Sequence, residues 1–75
     1  MMKIGVIGAG SWGTTLANVL AKKGNDVTLW VYEADLVERM QASRENDLYL
    51  PGVTLSENLT ATNDAGEAVI DQQLV

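Results

Sequence analysis

KIGVIGAGSWGTTLANVLAKKG, residues 3–24, decides the fold of this chain. It begins with a short, almost uninterrupted run carrying the β-branched residues Ile4, Val6 and Ile7. That is the pattern of a parallel strand covered on both faces. Glycines follow at Gly8, Gly10 and Gly13. Beyond them Gly13, Ala17, Leu20 and Gly24 fall close to helical spacing, with Leu16 and Ala21 beside them, so a helix is expected over about Ser11 to Lys23. Lys22 and Lys23 sit where the negative end of the helix dipole favours cations, and Gly24 is a natural C-terminal cap.

Three glycines at this spacing need a reason, because each gives up more chain entropy on folding than alanine would. Gly-x-Gly-x-x-Gly after a strand and at the opening of a helix is the dinucleotide-binding fingerprint. Gly8 allows the tight turn out of the strand, Gly10 lets backbone approach a pyrophosphate, and Gly13 lets the helix pack closely. The pyrophosphate then meets free N–H groups around Ser11 and Trp12, at the positive end of the helix dipole. The fingerprint also asks for an acidic residue about twenty positions on, for the ribose hydroxyls. Glu33 meets that spacing, and Tyr32 beside it is placed to pack on the adenine ring. Blander readings stand alongside. Glu33 reads equally as a solvated carboxylate in the first turn of its own helix. Trp12 reads also as plain packing at the top of the sheet, and Trp30 as strand-face packing rather than a ligand contact.

Further along, DVTLWVY is a second strand, with Val27, Leu29 and Val31 alternating against Thr28 and Trp30. EADLVERMQAS returns to helical spacing through Leu36, Val37 and Met40. RENDLYLPGVTLSEN is irregular, with Pro51-Gly52 as a turn signal. LTAT is a short third strand, and NDAGEAV opens a helix with Asn63 or Asp64 as cap and Asp64-x-x-Glu67 as a capping box. A new apolar run starts at Leu74. Strands alternating with helices imply an α/β fold, a Rossmann-type parallel sheet with flanking helices and right-handed crossovers. The sheet breaks off in its last strand. Residues 1–75 are therefore expected to be the N-terminal part of such a domain, a fragment of a longer protein.

Composition excludes several classes. A net charge of −5 and only five scattered basic residues argue against a nucleic-acid partner. With no cysteine and no histidine, there is no disulfide framework and no thiolate, and the commonest general base and metal ligand is missing. No metal site and no catalytic residue are expected. No apolar run is long enough to span a bilayer, and glycines interrupt the N-terminal apolar run too soon for a signal peptide, so a cytoplasmic protein is expected.

IGVIGAGSWGTTLANVLAKKG, DVTLW and above all ENDLYLPGVTLSENLTATND resemble bacterial NAD(P)-dependent glycerol-3-phosphate dehydrogenase. In that family the last segment similarly reads Glu-Asn, two variable residues, Tyr-Leu-Pro-Gly, then a Leu, an Asn-Leu and a Thr before the next helix. The resemblance spans essentially the whole chain. It implies interconversion of sn-glycerol 3-phosphate and dihydroxyacetone phosphate with NAD or NADP, supplying the backbone of phospholipids. It implies cofactor contacts at Ser11, Trp12, Tyr32, Glu33 and Tyr49, in addition to the glycines. It places the catalytic lysine and the substrate-phosphate site downstream, in a helical C-terminal domain, so the chain alone is expected to be inactive. It leaves a homodimer open for the longer protein. The family often has a basic residue where Tyr32 stands, which could pair with the NADP 2′-phosphate; its loss favours NAD modestly. It often has His where Asn25 stands, away from the phosphate site. Two other classes stay open: a regulatory module reading nicotinamide nucleotides, and a related dehydrogenase acting on a sugar acid or keto acid.

Overall fold

The computed structural model describes residues 2–8, 10–64 and 66, and the backbone of 73–74. Strand β1 is Lys3–Ile7, helix α1 Ser11–Lys22, β2 Asp26–Trp30, α2 Ala34–Ser43, β3 Leu59–Thr62 and β4 Gln73–Leu74. The strands form one sheet in the order β3-β2-β1-β4, and every pairing is parallel. Chain order runs outward from β1 to β3 and then returns to the other side of β1. That reversal is the switch point at which Rossmann-type sheets hold their ligands.

Register explains the core. Ile4 lies beside Val27 and Val27 beside Leu59; Val6 lies beside Leu29 and Leu29 beside Ala61. Residues two apart on a strand share a face, so these six buried side chains form two rows on one side of the sheet. Ala17 and Ala21 of α1, Leu36 and Met40 of α2, and Val31 and Leu55 complete the same cluster. The alanines present little bulk, which lets α1 lie close to the strands.

The ends of α1 follow its sequence. Gly24 has φ +96°. Its N–H donates to Ala21 O at 3.0 Å, and the Asn25 N–H donates to Leu20 O at 3.4 Å. This pair of bonds is a Schellman motif, and it requires the left-handed residue that glycine supplies most easily. Lys23 caps the helix rather than extending it. Asn25 lies at this end of α1, bonded to Leu20 O and Met2 N. It is therefore far along the chain from the glycine turn.

Residues 44–58 are irregular, as their composition suggests, but they are tied down at many points. Arg44 ends α2 in the left-handed region at φ 57°. Its Nη2 donates to Ser56 O, and to Leu59 O at 2.7 Å. The Ser56 N–H donates to Asn18 Oδ1 at 2.8 Å, and Asn58 Nδ2 to Ala21 O at 3.2 Å. Gly52 has φ +83°, which suits the residue after proline in a type II turn. After β3 the Asp64 carboxylate accepts the Gly66 N–H at 2.8 Å, while the rest of the expected helix lies outside the described residues. Glu67, the other half of the expected capping box, lies outside the described residues.

Candidate nucleotide-binding site

The strands' C-terminal ends, Ile7, Trp30 and Thr62, lie side by side. The pairing continues one step further, with Gly8 N–H donating to Trp30 O at 3.1 Å and Val31 N–H to Thr62 O at 2.7 Å. From this edge the glycine turn rises into α1.

The three glycines have three different reasons. Gly8 has φ +101°, where a side chain is strained. A Cβ on Gly13 would lie 2.1 Å from the Gly8 carbonyl oxygen, so the helix sits against the turn with no room for a methyl group. Gly10 differs from both. Its backbone is extended, φ −61° and ψ 174°, and a Cβ there would meet nothing within 4 Å. Among the described residues, neither backbone conformation nor packing requires glycine at position 10, although the N-cap position it holds tolerates glycine well. What a side chain there would fill is open space in front of the helix.

Gly10 is also the N-cap of α1, so no side chain caps the helix, and no acidic residue occupies its first turn. The Thr14 N–H makes the bond back to Gly10 O, at 2.9 Å. The N–H groups of Ser11, Trp12 and Gly13 precede it and have no intrahelical acceptor. They add to the positive end of the dipole, roughly half an elementary charge. Trp12 is 77% exposed, which removes the reading of it as packing at the top of the sheet.

The second half of the site lies past β2. Val31 is buried, Tyr32 is 76% exposed and Glu33 is the N-cap of α2. Trp30 packs edge-on to Tyr32 with ring centroids 6.2 Å apart, and its Nε1 donates to Asn63 O at 3.1 Å. Asn63 Nδ2 donates in turn to Tyr32 O at 3.1 Å and Val31 O at 3.4 Å. Trp30 is therefore strand-face packing, as expected, and Asn63 fixes the backbone that carries Tyr32. Glu33 makes no cap bond to its own helix; its Oε2 accepts the Tyr49 hydroxyl. This bond holds the Tyr49 hydroxyl above its ordinary range, with desolvation and the carboxylate charge adding to the effect. The Glu33 side chain is thus neither free of partners nor bonded to its own helix, although its backbone holds the N-cap position.

The eight expected site residues fall into two groups at the same end of the sheet. Gly8, Gly10, Ser11, Trp12 and Gly13 form the turn and helix start; Tyr32, Glu33 and Tyr49 gather beyond β2. The sequence reading named Glu33 and Tyr49 separately and missed their contact. It also missed Asn46 and Asn63, which make the supporting bonds. Among the described residues no cluster of three or more acidic, histidine or cysteine side chains could hold a metal. No helix among them is long and apolar enough to cross a membrane. Arg39 is engaged by Asp35 and Asp47, and Arg44 by backbone carbonyls.

Residues 3–75 match the family described as NAD-dependent glycerol-3-phosphate dehydrogenase N-terminus. The glycerol-3-phosphate dehydrogenase [NAD(P)+] of Syntrophotalea carbinolica is 61% identical over 74 residues, which is 99% of this chain and 22% of that protein. The namesake from Geobacter sulfurreducens is 67% identical over 66 residues, 88% of this chain and 20% of that protein. Among solved structures, glycerol-3-phosphate dehydrogenase from Coxiella burnetii superposes with a TM-score of 0.87 at 46% identity, covering 95% of this chain and 22% of that one. The Saccharomyces cerevisiae enzyme gives 0.85 at 39% identity, covering 95% and 24%. The chain thus spans about a fifth of the length of the curated relatives it matches.

Proposed function

The chain belongs to the NAD-dependent glycerol-3-phosphate dehydrogenase N-terminal family, and on that premise we propose that its sheet edge binds NAD(H) or NADP(H) for that reaction. The pyrophosphate rests on the N–H groups of Ser11, Trp12 and Gly13, with Gly10 clearing its path. The adenosine ribose reaches Glu33, and Tyr32 flanks the adenine. When bound, the nicotinamide carries the hydride exchanged between sn-glycerol 3-phosphate and dihydroxyacetone phosphate. The residues described here bind and orient the cofactor; none takes a proton from the substrate. The same reading puts the protein in the cytoplasm, beside its small phosphorylated substrates. It is supported above all by Gly10, a glycine that neither its own backbone conformation nor any neighbour among the described residues requires.

NAD is the preferred cofactor in this reading. A 2′-phosphate at Glu33 would face a carboxylate, and both arginines of the chain, Arg39 in α2 and Arg44 just after it, are already engaged. A 2′-hydroxyl could instead donate to Glu33, a bond to a charged group worth about 1.5–3 kcal/mol.

Two proteins test this: the chain itself, and a hybrid in which it replaces the 74 residues it matches in the Syntrophotalea carbinolica relative. NADH fluorescence titration of both should show binding, and Gly10→Val should abolish it while leaving the circular dichroism spectrum unchanged. The hybrid should oxidise NADH with dihydroxyacetone phosphate. Equal NADH affinity in parent and variant would show that the phosphate site is elsewhere.

A further inference from the structure

Asn46 lies in irregular chain, yet its side chain is 0% exposed. A buried carboxamide needs partners at both ends. Its Nδ2 donates to Thr14 Oγ1 at 2.8 Å, and its Oδ1 accepts the Tyr49 N–H at 3.1 Å. Its backbone oxygen accepts the Leu50 N–H at 2.9 Å. Each of the side-chain partners leads to one half of the nucleotide site. Thr14 bonds back to Gly10 O, and the Tyr49 hydroxyl bonds to Glu33. A bonded path therefore runs from Gly10 through Thr14, Asn46 and Tyr49 to Glu33.

A simpler role would be to staple residues 44–58 to the body of the fold. Other bonds already do that: Arg44 to the carbonyls of Ser56 and Leu59, Ser56 to Asn18, and Asn58 to Ala21. What Asn46 adds is the placement of Tyr49. Glu33 is an N-cap residue, and its carboxylate sits beside the free N–H groups at the start of α2, which attract an anion. Yet it makes no cap bond; Tyr49 holds one oxygen instead. Without that hydroxyl the carboxylate is free to turn back onto its own helix. It would then oppose a 2′-phosphate less and reach a 2′-hydroxyl less well.

We infer that Asn46 is a positioning residue for cofactor choice: through Tyr49 it keeps the Glu33 carboxylate turned toward the ribose 2′ position. This rests on the nucleotide site proposed above. A loss of fold weakens NADH and NADPH binding alike, whereas a loss of positioning changes their ratio. The test is fluorescence titration of the chain and the hybrid with NADH and with NADPH, in the parent, Asn46→Ala, Tyr49→Phe and the double variant. Either single change should lower the ratio of the NADPH to the NADH dissociation constant by about fivefold, the scale of one hydrogen bond. The double variant should lower it no further, because both changes cut one path. Tyr49→Phe removes only a hydroxyl from a partly exposed ring, so it carries the test even where Asn46→Ala fails to fold. An unchanged ratio in Tyr49→Phe, or additive losses in the double variant, overturns the inference while leaving the site itself standing. A parent that binds neither nucleotide overturns the site reading as well.

Discussion

Gly13→Ala puts a methyl carbon 2.1 Å from the Gly8 carbonyl oxygen. Such contacts are not found below 3.0 Å, so turn and helix must separate by about 0.9 Å. The obstructing atom is backbone and cannot rotate away. Forcing extra volume into a packed site costs about 1–3 kcal/mol, and a backbone clash belongs at the upper end. Alanine has a higher helix propensity than glycine by up to about 1 kcal/mol, which offsets part of this. The net loss is then about 2 kcal/mol. For a domain of this size that lowers Tm by about 8–16 °C. Separation of helix and turn also displaces the N–H groups of Ser11 and Trp12, so NADH affinity should fall as well. Thermal unfolding followed by circular dichroism, with NADH titration at a temperature where both proteins are folded, measures both effects. Gly10→Ala is the control: with nothing within 4 Å of its Cβ, it should leave Tm within a few degrees of the parent. If Gly13→Ala melts at or above the parent temperature, the close contact does not govern this turn.

Other changes separate the remaining parts of the account. Gly8→Ala places a side chain at φ +101° and should destabilise by about 1–3 kcal/mol, seen as an earlier urea midpoint with unchanged slope. Arg44→Met removes charged hydrogen bonds from the Ser56 and Leu59 carbonyls and should destabilise by on the order of 2 kcal/mol, read in the same way. The Tyr49 hydroxyl has a raised pKa in the folded chain because it donates to Glu33. Its contribution to stability is therefore fully present below the unfolded pKa of about 10 and is lost as pH rises through the higher folded value. Absorbance titration should show Tyr49 ionising later than a free tyrosine, and Tyr49→Phe should remove that part of the alkaline loss. Tyr32→Arg should shift the hybrid's kcat/KM ratio toward NADPH, since it supplies the cation that a 2′-phosphate lacks here.

The regular elements and the glycine turn were legible because their causes are local. Val27, Leu29 and Val31 alternate, Leu36 and Met40 fall four apart, and Gly24 follows the last turn of α1; each pattern bears on its immediate neighbours. The expected strand LTAT matches β3 residue for residue. Differences at the other ends are small: Lys23 holds the C-cap position of α1, and Glu33 the N-cap position of α2, without a side-chain cap bond, instead of lying in its first turn. Residues 44–58 were legible only as irregular chain. Their conformation is fixed by bonds such as Ser56 to Asn18, 38 positions apart, and no periodicity signals these. The same limit hid the meeting of Tyr49 with Glu33 and the burial of Asn46. The Glu-Asn pair stood out through family resemblance, but the bonds that give Asn46 its place appear only when α1 and the segment are brought together. Gly10 was legible in a different sense. The motif pointed to it, and among the described residues no close contact and no left-handed backbone requires it; only its N-cap position favours glycine.

If the backbone at the start of α1 receives the cofactor's pyrophosphate, its amides must respond to the nucleotide. Amide chemical shifts of the isotopically labelled chain, followed during titration with NADH, report this residue by residue. The largest shifts should fall on Gly10, Ser11, Trp12 and Gly13, with a second group at Tyr32 and Glu33, while Lys22–Asn25 at the far end of α1 stay still. Saturable shifts confined to other residues, with the amides of Ser11 to Gly13 unmoved, would contradict that placement of the pyrophosphate.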